Sequence, residues 1–340
     1  MSALSLKTKG IFSFLLERLD HAHKKGRSTL NEFISLYLDQ IATGVRQTDR
    51  GRNYAPSTVK TVRYSLRQFA RFQEVTGRQY DFPDMDMAFY YGYTSFLKKK
   101  GFSINSVGKC IRDLKAVLHA AEIDGVNKSL AWKEKRFKGI RVEVDSIYLT
   151  PDDLREMMSV NFATLSPEHE QARDIFMVGV WTAQRISDYN HIKREDFDTL
   201  GEIAYLNIRQ QKTGAKVSIP CNSALKAILK KYDFNLPHLP DRVINRDIKE
   251  VARAAGLTGT VEIETTKGGV PRKERIPKWK LVHSHTARRT GATLMYLAGV
   301  DLYDIMKITG HTTPAMLKKY IKADQLEVVD KIIDKYNYFD

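Results

Sequence analysis

The chain has two cysteines, Cys110 and Cys221, in 340 residues. Two thiols cannot form a disulfide framework, so the sequence predicts buried thiols in a reducing compartment. It also lacks long apolar runs. The best, Ile175 to Trp181, is far shorter than a membrane span, and the N-terminus has no signal-peptide core, so no membrane partner is expected. No G-x-x-x-x-G-K-[ST] loop is present, so ATP has no site. No acidic cluster has metal-ligand logic. His283-Ser284-His285 is a histidine pair without evident partner ligands, so no metal and no cofactor are expected. Internal repeats and low-complexity tracts are absent as well.

What the chain has is positive charge, unevenly placed. The net charge is +15, of which residues 1–140 carry +12 (14 Lys and 11 Arg against 8 Asp and 5 Glu). A basic module joined to a nearly balanced one points to a polyanionic partner, nucleic acid being the commonest. With 42% hydrophobic and 28% charged residues, the chain has the composition of a globular protein of two domains.

Helical periodicity runs through residues 11–41 and resumes after a loop at Thr43–Tyr54. In APSTVKTVRYSLRQFARF, residues 55–72, Val59, Val62, Leu66 and Phe69 share one face, while Lys60, Arg63, Arg67 and Arg71 lie on another. A third helix is expected over about Met85–Lys99. A fourth runs from Ser103 to Asp124, with Val107, Ile111, Leu114 and Leu118 inward and Lys109, Arg112 and Lys115 elsewhere. Residues 128–148 read as a charge-rich extended linker. Thr150-Pro151 starts the second domain with an N-cap and a proline at the first helical position. Residues 203–220 read as a hairpin turning at Thr213-Gly214, and residues 260–282 as a second β pair around Gly268-Gly269. The rest is helical, so the expected fold class is mainly α with small β-hairpins (α+β).

The stretch HTARRTGATLMYLAGVDLYDIMKITGHTTPAMLKKY, residues 285–320, places His285 and Arg288 three apart on one helix face. His311 falls in a tight turn beside Gly310, and Tyr320 lies six residues past Pro314. Each alone has a bland reading, a solvated arginine or a core tyrosine. The set resembles the tyrosine recombinase (phage integrase) family: H-x-x-R at 285–288, G-H at 310–311, and a tyrosine nine residues later. Arg185 in WTAQRISDYNHI matches the family's upstream arginine, and Lys212 in QQKTGAKVSIP its hairpin lysine. Ala183-Gln184 stands where Gly-Leu is common before that arginine, Ala287 replaces a common Leu, and Arg289 a common His. HTARRTGAT resembles integrases of bacterial mobile elements.

The resemblance implies a helical segment at 1–27, a helical core DNA-binding domain at 28–127, the linker at 128–148, a mixed catalytic domain of the tyrosine recombinase type at 149–324 and a C-terminal exchange helix at 325–340. Residues 1–25 are too short for the further arm-binding domain of many such integrases, so a bivalent architecture is not expected. The implied activity is site-specific, metal- and ATP-independent DNA strand transfer.

In that reading Tyr320 attacks a phosphodiester and forms a 3′-phosphotyrosyl ester. Arg185 and Arg288 hold the non-bridging oxygens. Lys212 protonates the 5′ oxygen, His285 takes the nucleophile's proton, and His311 donates to a phosphate oxygen. Arg289 and Lys216 are neighbours that could take these roles, but spacing favours Arg288 and Lys212. Asp188 reads equally as an orienting group for Arg185 or as a helix cap.

Lys60, Arg63, Arg67, Lys109, Arg112 and Lys115 are the candidate DNA contacts. The implied partners are double-stranded DNA with paired recombination sites, a homotetramer joined through the C-terminal helix, and an accessory DNA-bending protein. Strand exchange is expected to run through a Holliday junction, and the protein to be cytoplasmic, nucleoid-associated when bound. Two alternatives stand beside this: topoisomerase IB-like relaxation by the same chemistry, and a DNA-binding regulator without catalysis.

Overall fold

The computed structural model describes residues 28–336. The expected helical segment at 1–27 and the last four residues lie outside them. The described chain forms two compact units. The first takes in the residues up to Val144 together with Glu264–Arg272, and the second Asp145–Ile263 together with Lys273 onward.

The first unit is built on four helices, α1 (Leu30–Thr43), α2 (Pro56–Thr76), α3 (Met87–Lys99) and α4 (Ile104–Ile123). Periodicity alone extends the expected first helix back through residue 28. The structure starts it at Leu30, because Thr29 caps it in a reciprocal box with Glu32. Ser103 caps α4 by accepting from Ser106 N. The core is aromatic: Phe69, Phe72, Phe89 and Tyr93 are buried, with Phe69 and Phe89 edge to face at 5.8 Å.

Residues that read as linker contribute to this core. Trp132 and Phe137 are buried in it. From there residues 137–142 run along α4, where Gly108 lets the backbone approach; a Cβ at Gly108 would sit 1.9 Å from Ile140 O. Asn105 clips the strap in both directions, donating to Val142 O at 2.9 Å and accepting from Val142 N at 3.0 Å. The stretch reads as linker because its anchors are two aromatics among charged and glycine residues, too sparse for a periodic signal.

In the second unit, α5 (Pro151–Met158) is capped by Thr150. The central helix α6 (Pro167–Thr182) is buried along Ala172–Val180 and leads into α7 (Ile186–Tyr189). A three-stranded antiparallel sheet follows in the order β1 (Phe197–Leu200), β2 (Ile203–Arg209), β3 (Lys216–Pro220). Leu206 pairs with Ile219 and Ile208 with Val217, so the alternating apolar residues of both strands enter the core. The strand β1 is not legible in FDTLGEI, where only Phe197 is even half-buried.

Helices α8 (Ser223–Lys231) and α9 (Asp241–Ala254) come next. The hairpin β4 (Thr260–Lys267) and β5 (Val270–Pro277) follows, its tip at Glu264–Arg272 belonging to the first unit, then the short α10 (Lys278–Leu281). The unit finishes with α11 (Ser284–Leu297), α12 (Leu302–Thr309), α13 (Pro314–Lys318) and α14 (Gln325–Tyr336). Helix α11 packs on α6 at Gly291, where a Cβ would meet Val180 O at 2.2 Å. Among the described residues, no helix is long and apolar enough to cross a membrane.

Candidate active site

Four of the six residues singled out from the sequence meet within the second unit. Arg288, on α11, is fully buried. Its Nη1 donates to Ala183 O at 3.0 Å and its Nη2 to Thr309 O at 2.8 Å, while Nε is buried without a hydrogen-bond partner. The same Nη2 lies 3.0 Å from His311 Nε2. Tyr320, just past α13, faces both: its ring centroid is 4.7 Å from that of His311 and 5.1 Å from Arg288 Cζ. Thr293 of α11 holds this segment, accepting from Lys322 N at 3.0 Å and donating to Tyr320 O at 3.4 Å.

Arg185 stands at the N-cap position of α7 and joins the cluster through Gln210, to whose Oε1 its Nη1 donates at 3.1 Å. The remaining two residues sit at the rim. His285 is one helical turn before Arg288 and is exposed. Lys212 is exposed in the β2–β3 turn. Lys212 and His285 are near enough for the ammonium to lower the imidazole pKa.

Proton positions at His311 follow from its partners. A guanidinium only donates, so Nε2 accepts from Arg288 and the imidazole is neutral with its proton on Nδ1. That proton goes to Thr309 Oγ1 at 2.8 Å, whose own hydroxyl donates to Ile305 O at 2.6 Å. Burial, then the charges of Arg288 and Arg185, push the His311 pKa down to about 3. His285 is lowered too, first by desolvation and then by Arg289, Arg288, Arg185 and Lys212. Burial first and Arg185 second push Arg288 down to about 10, still charged at neutral pH. Cations crowded this way leave the cluster with excess positive charge and an unfilled donor at Arg288 Nε, the electrostatics of an anion site.

Neighbours of the cluster sort differently from their sequence reading. Asp188 neither caps a helix nor bonds Arg185; its Oδ1 accepts from Gln211 N at 2.9 Å, tying α7 to the end of β2. His283 caps α11, its Nδ1 accepting from His285 N at 3.1 Å. Ala183, where the family commonly has glycine nearby, adopts a left-handed φ of 52°, a conformation that costs an alanine.

Sequence reasoning missed Gln184, Gln210 and Thr309, all fully or almost fully buried polar residues around the arginines. A signal for Gln210 was present: Leu206 and Ile208 point inward on β2, and the same alternation puts 210 inward.

The six candidate DNA contacts of the first unit fall into two groups. Lys60, Arg63 and Arg67 are exposed on α2. On α4, Lys109 pairs with Asp113, Arg112 Nη1 donates to Gly139 O at 3.1 Å, and Lys115 Nζ donates to Phe137 O at 2.6 Å. Lys115 also lies over the Trp132 ring at 5.5 Å, and burial lowers its pKa. Arg112 and Lys115 therefore secure the strap at 137–142, a task their sequence spacing could not disclose because the strap lies more than twenty residues away.

A basic helical unit and a mixed unit holding this arginine, histidine and tyrosine cluster define the integrase class of fold. Two family profiles match the chain, the phage integrase SAM-like domain over residues 29–137 and the phage integrase family over residues 237–327. The chain belongs to the tyrosine recombinase (phage integrase) family. It is 26% identical over 197 residues to an integrase of Mycobacterium phage FRAT1, a match covering 53% of this chain and 55% of that integrase. The chain thus spans about half the length of the curated relatives it matches. Its fold is similar to that of a lambda integrase dimer bound to a COC′ core site, with TM-score 0.64, 17% identity, and coverage of 90% of this chain and 81% of that one. A lambda integrase tetramer bound to a Holliday junction gives TM-score 0.63 at 18% identity, covering 87% and 78%.

Proposed function

We propose that the protein is a site-specific DNA recombinase that cleaves and rejoins strands through Tyr320. One observation carries the reading: the fully buried Arg288 guanidinium, with Nε unpartnered, lies against both His311 at 3.0 Å and the Tyr320 ring at 5.1 Å. A scissile phosphate satisfies that orphaned donor and brings its phosphorus within reach of the Tyr320 hydroxyl.

Tyr320 Oη attacks phosphorus, its bond to phosphorus forms as the bond to O5′ breaks, and the strand is left as a 3′-phosphotyrosyl ester with a free 5′ hydroxyl. The phenolic proton passes to His285, which is neutral at pH 7 because its surroundings lower its pKa. Lys212, in the β2–β3 turn, supplies the proton to O5′. Arg185 and Arg288 bear the charge that accumulates on the non-bridging oxygens. His311 in its present hydrogen bonds accepts from Arg288 through Nε2, so its donation to phosphate requires Arg288 Nη2 to turn from His311 to the phosphate. The ester keeps the energy of the broken bond, and a second strand's 5′ hydroxyl reverses the step.

Two such exchanges between paired sites pass through a Holliday junction, and four protomers supply the four tyrosines. The similarity to a lambda integrase tetramer bound to a Holliday junction supports this order of events. Helix α14 supports the assembly: Leu326, Val329 and Ile333 on its outer face are 75%, 48% and 43% exposed, while Val328 and Ile332 are half-buried. An apolar face exposed in this way among the described residues suits a neighbouring protomer. We also assign residues 28–127 to DNA binding through α2, and residues 149–324 to catalysis.

Incubation with two matched duplex sites tests the reading. Joint molecules carrying reciprocal strand exchange are the expected product. Relaxation of supercoiled plasmid without joint molecules would indicate topoisomerase-like activity instead.

A further inference from the structure

We infer that Gln210 is a positioning residue of the strand-transfer site, setting Arg185, Arg288, His311 and the Lys212 turn in register through its single side-chain amide. This inference rests on the proposed strand-transfer chemistry. Gln210 follows β2 and is almost completely buried. Its Oε1 accepts from Arg185 Nη1 at 3.1 Å and from Thr213 Oγ1 at 2.7 Å. Its Nε2 donates to Gln184 Oε1 at 2.7 Å and to Thr309 O at 2.8 Å. The amide orientation is fixed by chemistry, since a guanidinium only donates and a peptide carbonyl only accepts.

Each of those partners leads to a proposed reacting group. Thr309 O also accepts from Arg288 Nη2 at 2.8 Å, and Thr309 Oγ1 accepts from His311 Nδ1 at 2.8 Å. Thr213 is the residue after Lys212 in the hairpin turn. Gln184 precedes Arg185, and its Nε2 donates to Ile308 O at 2.7 Å and Thr182 O at 2.9 Å, so its Oε1 is left to accept from Gln210. All four hydrogen-bonding sites of the Gln210 amide are thereby used, two donors and two lone pairs, in a buried setting where an unmade bond is costly.

The backbone is shaped to this amide as well. Gly310, beside His311, has φ +69°, and a Cβ there would lie 2.5 Å from Gln210 Oε1 and Nε2. The glycine of the G-H pair is thus required twice, by its left-handed conformation and by the amide packed on it. A side chain that touched only one arginine would be local support. Gln210 instead connects the ends of α6 and α12 to the β2–β3 turn, so a displacement of any one is felt by the others.

The test uses the full chain with Gln210→Met, which nearly keeps the volume and removes all four bonds, and Gln210→Glu, which keeps the acceptor toward Arg185 and loses the donor toward Thr309 and Gln184. Three readouts are compared with the unaltered chain: thermal unfolding, affinity for a duplex carrying one site, and the first-order rate of covalent adduct formation on a nicked substrate at saturating protein. Both variants are expected to bind DNA within about twofold of the unaltered chain and to form adduct at least about tenfold more slowly, the scale of a displaced reacting group. In an Arg185→Lys background the Gln210→Met loss is expected to shrink, because the two act through one bond. An unchanged adduct rate in both variants would overturn the inference. So would a rate loss that is restored by raising the DNA concentration, or one that multiplies in full with Arg185→Lys. If the unaltered chain forms no Tyr320-dependent adduct, the strand-transfer reading fails and the inference with it; that result is distinct from all the others.

Discussion

Arg288 Nη2 donates to His311 Nε2 across 3.0 Å inside a buried pocket, so the histidine is held neutral by the arginine it touches. The pair defines a resting state. Both guanidinium Nη atoms are committed to the protein and Nε is left without a partner, and the imidazole Nε2 is an acceptor in this state. Its pKa of about 3 against an ordinary 6.5 follows first from burial and then from the charges of Arg288 and Arg185.

The depressed histidine makes stability depend on pH. In the unfolded chain His311 takes up a proton as pH falls below about 6.5, whereas in the folded protein it does so only near pH 3. The unfolded state binds more protons between these values, so stability declines as pH falls through that window. Thermal unfolding should therefore shift to lower temperature from pH 7 to pH 5. His311→Gln, which keeps an acceptor for Arg288 but does not titrate, should show a shallower decline. Equal slopes in the two proteins would mean that His311 is not the source.

The first unit offers a contrast between two basic faces. Charge reversal of Lys60, Arg63 and Arg67 together should weaken DNA binding and reduce the dependence of log affinity on log salt, by up to about 0.9 for each phosphate no longer neutralised. Lys115→Ala should leave that slope unchanged and lower thermal stability, because Lys115 holds Phe137 O and lies over Trp132. Binding isotherms across a salt series, beside melting curves, separate the two outcomes.

The strap along α4 can be tested through its glycine. Gly108→Ala places a methyl carbon 1.9 Å from Ile140 O, so residues 139–142 must leave the helix. A destabilisation of about 1–3 kcal/mol is expected from overpacking of this kind. Hydrogen exchange should rise at Val142, whose amide donates to Asn105 at 3.0 Å. Unaltered exchange there would show that the strap is not held by this contact.

Deletion of residues 325–340 should spare binding to a single site and abolish cooperative assembly on paired sites. The motive is the exposed row Leu326, Val329 and Ile333. A truncated chain that still assembles four protomers and recombines at the full rate would rule out docking through α14.

How much of this was legible in the sequence depended on the range of each interaction. Caps, turn glycines and apolar stripes act within a few residues, so Thr150, Ser103 and the 203–220 hairpin could be read directly. Resemblance to the family's motif singled out Arg288, His311 and Tyr320, which the fold brings together. What stayed hidden was set by tertiary partners. Gln210 is an ordinary polar residue until Arg185 and Thr309 arrive from elsewhere in the chain. Lys115 looks like a solvated cation until residue 137 folds back onto it. Residues 128–148 carry too few apolar positions to announce that Trp132 and Phe137 are core.

Strand transfer is tested most directly by the fate of the tyrosine hydroxyl. A nicked duplex that releases a short fragment on cleavage traps the covalent intermediate. The unaltered chain should form a protein–DNA adduct, joined through residue 320 by peptide mapping. Tyr320→Phe should give no adduct and unchanged affinity for the duplex. An adduct that persists in Tyr320→Phe, or one that maps to Tyr296 or Tyr303, would contradict the assignment of Tyr320 as the nucleophile.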